Sequence, residues 1–383
     1  MTNTIAKESI PVSGTSFIFE LTNKLVKEGR SIIKLNVGEP DIAVPQIVKE
    51  TLTEAVNNNE THYTTSQGYE PLRNEIARYY ETNFSTTIDP DNIIVTAGVK
   101  MGINFVITSL IQAGDEVLIG TPCYPAYGDI SRYCNGVVKE IRLTFTNEDF
   151  FILEQQITSK TKVFILNTPN NPTSAITYLS YQEKMFGFLQ KYPNLVIIID
   201  EIYLELTYSG QMNSFCKFIP YEHRLIILSG FSKAWSMTGF RLGYIIAPPW
   251  LKKRLIQLTS NSINCVSLFI QIAGIKALTE RDHIIKARKL YETRAEFVVK
   301  KLSNSKNIKL YCKPESSFYV FFEVKNGYKN LALDLLDKTN VALVPGSVFG
   351  LELDRFLRLS FVQNENLLNT AINRIIAFID QLN

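Results

Sequence analysis

The sequence of 383 residues is 45% apolar and 20% charged, which excludes a disordered or fibrous chain, and its length suits one large and one small domain, each with its own core. Its 40 basic and 37 acidic side chains are mixed along the chain and leave a formal charge of +3 without a basic stripe, so no nucleic-acid partner is expected and Lys252-Lys253-Arg254 reads as a solvated helix face. Five scattered cysteines without CxxC spacing point to free thiols and to no metal centre. The stretch MTNTIAKESIPVSG lacks a signal-peptide core and no apolar run reaches membrane-spanning length, so the expectation is a cytoplasmic protein with no membrane partner.

In chain order, helical periodicity marks residues 17–28, 47–57 and 70–82. Six β-rich runs follow at 92–96, 116–120, 137–142, 162–166, 195–199 and 224–228, alternating with helical patterns. The runs Val196-Ile-Ile-Ile199 and Leu225-Ile-Ile-Leu228 are apolar throughout, as strands covered on both faces are. The alternation predicts an α/β fold in which a mostly parallel sheet lies between helices, a three-layer α/β/α arrangement. Helices at 249–260 and 267–279 continue the covering, and the amphipathic stretch 282–302 bridges to a second unit. Strand-like runs at 308–310, 318–323 and 356–361, with a closing helix at 364–382, predict a smaller α+β domain. The expected division is a large domain of residues 45–280 and a small one of 1–44 with 281–383.

The most informative stretch is Ser229-Gly-Phe-Ser-Lys-Ala-Trp-Ser-Met-Thr-Gly-Phe-Arg-Leu-Gly-Tyr244. It follows a buried strand and puts Lys233 in a loop at the strand ends, where α/β sheets meet ligands. A lone lysine is ordinarily a surface charge. Here Gly230, Gly239 and Gly243 allow tight turns and close backbone approach, while Ser232 and Arg241 supply a hydroxyl and a fixed cation suited to a phosphate. An amine beside a phosphate-binding arginine is what a pyridoxal 5′-phosphate (PLP) Schiff base needs.

Three further places carry chemistry. Asp200 closes the apolar run 196–199 at the mouth of a central strand, where a carboxylate without a cationic partner is costly; an N-cap for a following helix is the plain alternative. Gly98, Val99 and Lys100 lie where a strand gives way to a helix of residues 101–111, so their backbone N–H groups form an anion site, although an ordinary strand-to-helix turn is written the same way. In residues 356–361, Leu357, Leu359 and Phe361 share one strand face, leaving Arg358 on the other with Phe356 and Ser360, where its fork can meet a carboxylate. Arg355 beside Asp354 reads as a surface arginine.

These residues extend into a longer series: Leu35-Asn-Val-Gly-Glu-Pro-Asp41, Tyr63 with Gly68-Tyr-Glu-Pro-Leu-Arg73, Val95-Thr-Ala-Gly-Val-Lys100, Thr121-Pro-Cys-Tyr124, Asn167-Thr-Pro-Asn-Asn-Pro-Thr173, Asp200-Glu-Ile-Tyr203, Val344-Pro-Gly-Ser-Val-Phe-Gly350 and Phe356-Leu-Arg-Leu-Ser360. With Ser232-Lys233 and Gly239-Phe-Arg-Leu-Gly-Tyr244, the series resembles the fold-type I PLP-dependent aminotransferases of class I/II, the aspartate and aromatic aminotransferase-like group, in that family's order and over nearly the whole chain.

The resemblance implies that Lys233 holds PLP as a Schiff base, that Asp200 pairs with the pyridine nitrogen, and that Tyr203 and Asn171 hydrogen-bond the ring 3′-oxygen. It implies a ring stack on Tyr124, phosphate contacts from the backbone of Gly98, Val99 and Lys100 and from Ser232 and Arg241, and an α-carboxylate site at Arg358, Asn171 and the backbone of Gly38. Tyr63 matches a tyrosine that reaches the phosphate of a partner subunit, which implies a homodimer with shared active sites. The implied reaction is ping-pong transfer of an amino group from an L-amino acid to a 2-oxo acid, with Lys233, Asp200 and Tyr203 as the catalytic group. A PLP-dependent lyase, decarboxylase or oxidase on the same scaffold is the alternative. A nicotinamide dehydrogenase has no GxGxxG after any strand to support it.

The sequence departs from the family pattern at three places. Ser174 stands where the family usually has glycine, Gly230 where many relatives have serine, and Glu315-Ser316-Ser317 replace a usual small-residue run before Phe318-Tyr319. The first two shift the expected phosphate contacts toward Ser232 and Arg241, and the third bears on substrate specificity.

Overall fold

The computed structural model of the chain describes residues 14–221 and 223–382, so most of the N-terminal stretch considered above as a leader lies outside the described residues. The chain enters through the helix Gly14–Lys27 and the short strand β1 (Ile33–Lys34), followed by the helices Gln46–Asn57 and Glu70–Phe84. Glu70–Phe84 starts cleanly because Pro71 sits in its first turn, where a missing N–H leaves nothing unpaired, and it buries Leu72, Ile76 and Tyr80 along one stripe.

Seven strands then build one sheet: β2 (Ile93–Thr96), β3 (Glu116–Thr121), β4 (Val137–Arg142), β5 (Thr161–Asn167), β6 (Val196–Asp200), β7 (Leu225–Gly230) and β8 (Gly243–Ile246). Their order is β2-β8-β7-β6-β5-β3-β4. Neighbours from β7 to β4 pair in parallel, and β8 runs antiparallel to both β7 and β2. Parallel strands need crossovers, and the helices Ala126–Tyr133, Glu148–Gln156 and Leu179–Leu189 provide those from β3 to β4, β4 to β5 and β5 to β6. Every residue of β6 is buried, as its unbroken apolar run requires of a strand covered on both faces. The six β-rich runs read from the sequence all appear, as does the α/β architecture. The seventh strand, β8, was hidden because its first two residues lie inside the glycine-rich signature and the strand read as loop.

The remaining strands are β9 (Ile308–Leu310), β10 (Tyr319–Val324), β11 (Val341–Ala342), β12 (Val344–Pro345) and β13 (Phe356–Ser360). An antiparallel sheet of order β12-β13-β10-β9 forms from four of them, while β11 pairs in parallel with β1 and so ties the N-terminal segment to the C-terminal unit. The helices Arg281–Leu302, Leu331–Thr339 and Glu365–Ile379 accompany this part, and one continuous hydrophobic core runs from β6 through Phe318 and Tyr319 to Leu359. All of β13 is buried, so its two faces are both interior and Arg358 is not a surface residue. Arg355 is largely exposed, but its partner is Glu323 at 2.9 Å rather than Asp354. All five cysteines are free thiols, and among the described residues no helix is long and apolar enough to cross a membrane.

Candidate active site

Parallel strands that end in register leave a crevice at their C-terminal edge. Here Asn167 at the end of β5 pairs with Asp200 at the end of β6, which pairs with Leu228 on β7. The crevice opens into a cavity of about 390 Å³ that collects Gly38, Val99, Lys100, Tyr124, Asn171, Asp200, Tyr203, Ser232, Lys233, Arg241 and Arg358, Asp200 from β6 and Arg358 from β13. Of the expected site residues, Gly98 adjoins this cavity through Arg241, and Tyr63 lies apart, 84% exposed on its own chain.

Asp200 is 2% exposed, and burial raises its carboxyl to a pKa of about 6. Opposing that rise, the Tyr127 hydroxyl donates to Oδ2 at 2.7 Å and the Ile202 N–H to Oδ1 at 3.0 Å, while Lys233 adds a favourable charge. Both oxygens thus have a donor, and the carboxylate is held rigidly at the cavity floor.

The half-buried Lys233 reaches across the cavity, and its Nζ donates to the Gly38 carbonyl at 2.7 Å. It also lies 5.8 Å from the Tyr203 ring centre and 6.0 Å from that of Phe318. Burial, with Arg358 and Arg241 nearby, lowers the amine to about 8 against the opposing pull of Glu39 and Asp200. An amine with that value exchanges its proton near neutrality.

Arg358 is 3% exposed without a carboxylate partner. One Nη donates to Asn171 Oδ1 at 3.1 Å and the other to the Asn36 carbonyl at 2.6 Å, and the guanidinium lies 4.5 Å from the Tyr319 ring centre. Its Nε and both polar atoms of the Asn36 side chain are buried with no partner among the described residues. A buried cation beside an unsatisfied amide has the kind of donor groups that an anion requires. Asn171 Oδ1 accepts from Arg358, and its backbone N–H donates to Asn167 Oδ1 at 2.8 Å.

Close backbone approach explains two glycines of the signature. An added Cβ on Gly243 would stand 2.8 Å from the Gly98 carbonyl carbon and the Val99 nitrogen, and one on Gly230 would stand 2.8 Å from Gly243 Cα. No side chain fits at Gly230, which accounts for its departure from serine. Gly98 has φ +81°, and a Cβ there would lie 2.6 Å from Arg241 Nη2. The N-terminus of the helix Val99–Leu110 and the Arg241 guanidinium are thereby brought together with nothing between them. Gly239, in contrast, has open space around it and was not required for this packing.

Sequence reasoning missed four contributors. Tyr127 carries no local signal, because a tyrosine second in a short helix reads as packing, and Asn36 stood unremarked inside the quoted motif Leu35–Asp41. Tyr319 was read as a strand aromatic, yet its hydroxyl pairs with the Tyr203 hydroxyl at 2.9 Å. Asn167 sat inside a quoted motif, and the structure shows its amide donating to the Asp200 carbonyl at 2.9 Å.

Comparison with known proteins agrees with this geometry. The family model described as aminotransferase class I and II matches residues 30–375. The chain is 33% identical over 371 residues to the (5-formylfuran-3-yl)methyl phosphate transaminase of Methanocaldococcus jannaschii, covering 95% of this chain and 96% of that one. It is 31% identical to the aspartate aminotransferase of Pyrococcus horikoshii, over 94% of this chain and 92% of that one. The crystal structure of the aspartate aminotransferase from Rhizobium meliloti superposes with a TM-score of 0.91 at 29% identity, covering 98% of each chain.

Proposed function

The chain belongs to the class I and II aminotransferases and is a transaminase, and from that premise we propose that it moves an amino group from an L-amino acid to a 2-oxo acid with PLP held at Lys233. The observation that carries the reading is the convergence of a buried carboxylate, an amine lowered to about 8 and a buried arginine on one cavity at the strand ends. The lyase, decarboxylase and oxidase alternatives find no support in the names of these relatives, which are transaminases.

The residues fit PLP. The close approach of Gly243 to the Gly98–Val99 backbone, and of Gly98 to Arg241, supports a phosphate on the N–H groups of Gly98, Val99 and Lys100, with Arg241 and Ser232 beside it. Asp200 would face the pyridine nitrogen, where a cationic partner offsets the burial of its charge, and Tyr124 would stack on the ring. When bound, PLP supplies an electron sink for the bonds at the substrate Cα.

Arg358, Asn171 and the Asn36 amide bind the substrate carboxylate, with the Gly38 backbone closing over it. Lys233 Nζ would take the proton from the substrate Cα and deliver it to C4′ of the cofactor rather than back to Cα, which its lowered pKa permits near neutral pH. Tyr203 orients the cofactor through its hydroxyl, and the helix Gly14–Lys27 places Thr15, Ser16 and Phe19 at the cavity wall, where they limit water. The exposed Tyr63 supports a homodimer in which each chain reaches the partner's phosphate site, and the five free thiols support a reducing, cytoplasmic setting.

The test is a panel of L-aspartate, L-alanine and L-phenylalanine with 2-oxoglutarate on PLP-loaded protein. At least one donor is expected to yield L-glutamate and its own 2-oxo acid in equal amounts. Release of carbon dioxide, ammonia or hydrogen peroxide without an acceptor would replace this reading with one of the alternatives.

A further inference from the structure

Two departures from the family pattern, far apart in sequence, meet in the structure. Ser174 Oγ lies 2.5 Å from Ser317 Oγ, 2.9 Å from the Tyr319 carbonyl and 3.2 Å from the Tyr319 N–H, all buried. A hydroxyl has one proton and two lone pairs. Since the Tyr319 carbonyl only accepts, Ser174 spends its proton there and accepts from both the Ser317 hydroxyl and the Tyr319 N–H. Its hydrogen-bonding capacity is then full.

The backbone alone would not choose serine at this point. Ser174 has φ +60° and Ser317 φ +53°, a region that favours glycine. In exchange the hydroxyl holds both backbone polar groups of Tyr319, its N–H and its carbonyl. Tyr319 in turn touches three parts of the site: its ring backs the Arg358 guanidinium at 4.5 Å, its hydroxyl pairs with that of Tyr203 at 2.9 Å, and the same hydroxyl stands 1.8 Å from where a Cβ on Gly38 would be. Packing this close leaves Tyr319 no room to shift without moving Arg358 or the Gly38 backbone.

We infer that Ser174 is a positioning residue for substrate-carboxylate recognition, acting through Tyr319 on Arg358. The inference rests on the reading that Arg358 binds the substrate carboxylate. A loosened Tyr319 ring weakens the carboxylate site equally in the ground and transition states, so the effect falls on KM rather than kcat.

The experiment uses PLP-loaded enzyme with each of L-aspartate, L-alanine and L-phenylalanine that the wild type accepts with 2-oxoglutarate. Ser174→Gly suits the backbone at this φ and removes only the hydroxyl. It is expected to raise KM about fivefold for donor and acceptor alike, with kcat within about twofold. In a Tyr319→Leu background the same substitution is expected to change KM by less than about twofold, because the residue it acts through is gone. Ser317→Ala, which leaves both Ser174–Tyr319 bonds in place, is expected to stay within about twofold of wild type. All variants are assayed at a temperature where circular dichroism shows them folded. An unchanged KM in Ser174→Gly, an equal effect in the Tyr319→Leu background, or an equal effect from Ser317→Ala would each overturn the assignment. If the wild type accepts no donor, the proposed function itself fails, an outcome distinct from all three.

Discussion

Lys233 Nζ donates to the Gly38 carbonyl at 2.7 Å across 195 positions of sequence, joining the loop after β7 to the segment that β1 anchors on β11. The amine thus has a neutral acceptor, and burial beside two arginines makes its charge unfavourable. Lys233→Met is expected to abolish amino transfer, by at least about a thousandfold in kcat, together with the lysine-bound cofactor absorbance. The same change reads out on stability. For a base whose folded pKa lies below its unfolded one, the unfolded chain binds more protons between about 8 and 10.5, so stability rises with pH through that window and the penalty is complete below it. The cofactor-free methionine variant should therefore melt no lower than wild type at pH 7; a clearly lower midpoint would contradict the buried-amine account.

Asp200 gives the complementary case. It is an acid whose folded pKa is raised to about 6 from 3.8, so the folded chain binds more protons in that interval, stability falls as pH rises through it, and the whole penalty is present above it. Asp200→Asn should stabilise the cofactor-free chain at pH 7.5 by about 2 kcal/mol while lowering kcat/KM by two orders of magnitude or so. Urea melts and steady-state rates on one preparation check both signs.

Tyr127 supplies the shortest bond to Asp200 and holds that carboxyl down. Removing its hydroxyl in Tyr127→Phe should push the Asp200 pKa further up. The acid limb of the pH–rate profile should move to higher pH, with kcat/KM at pH 7 reduced about fivefold to tenfold. A profile that keeps its position would assign Tyr127 to packing alone.

Arg358 is placed to use both arms of its fork, and an ammonium cannot reproduce that geometry. Arg358→Lys is expected to raise KM for donor and acceptor by about tenfold to a hundredfold. Stability should fall as well, since Asn171 Oδ1 and the Asn36 carbonyl each lose a donor. Equal KM values in the two proteins would move carboxylate recognition elsewhere in the cavity.

What the chain reveals by itself is what local pattern carries. The uninterrupted apolar runs of β6 and β7 mark doubly covered strands, and Asp200 at the end of one of them marks the sheet edge where ligands gather. The glycine-spaced signature singles out Lys233 and Arg241 from the chain's 40 basic residues. These features rest on periodicity, on φ preferences and on the cost of burying charge, which act over a few residues. Only the tertiary structure decided that Gly243-Tyr-Ile-Ile246 is a strand, that Tyr127 donates to Asp200, that Asn36 lends an unpaired amide beside Arg358, and that Ser174 meets Ser317. Those contacts join elements far apart along the chain, and although Asn36, Ser174 and Ser317 stand in stretches the sequence marks, no local pattern says which partner each meets until packing brings the two together.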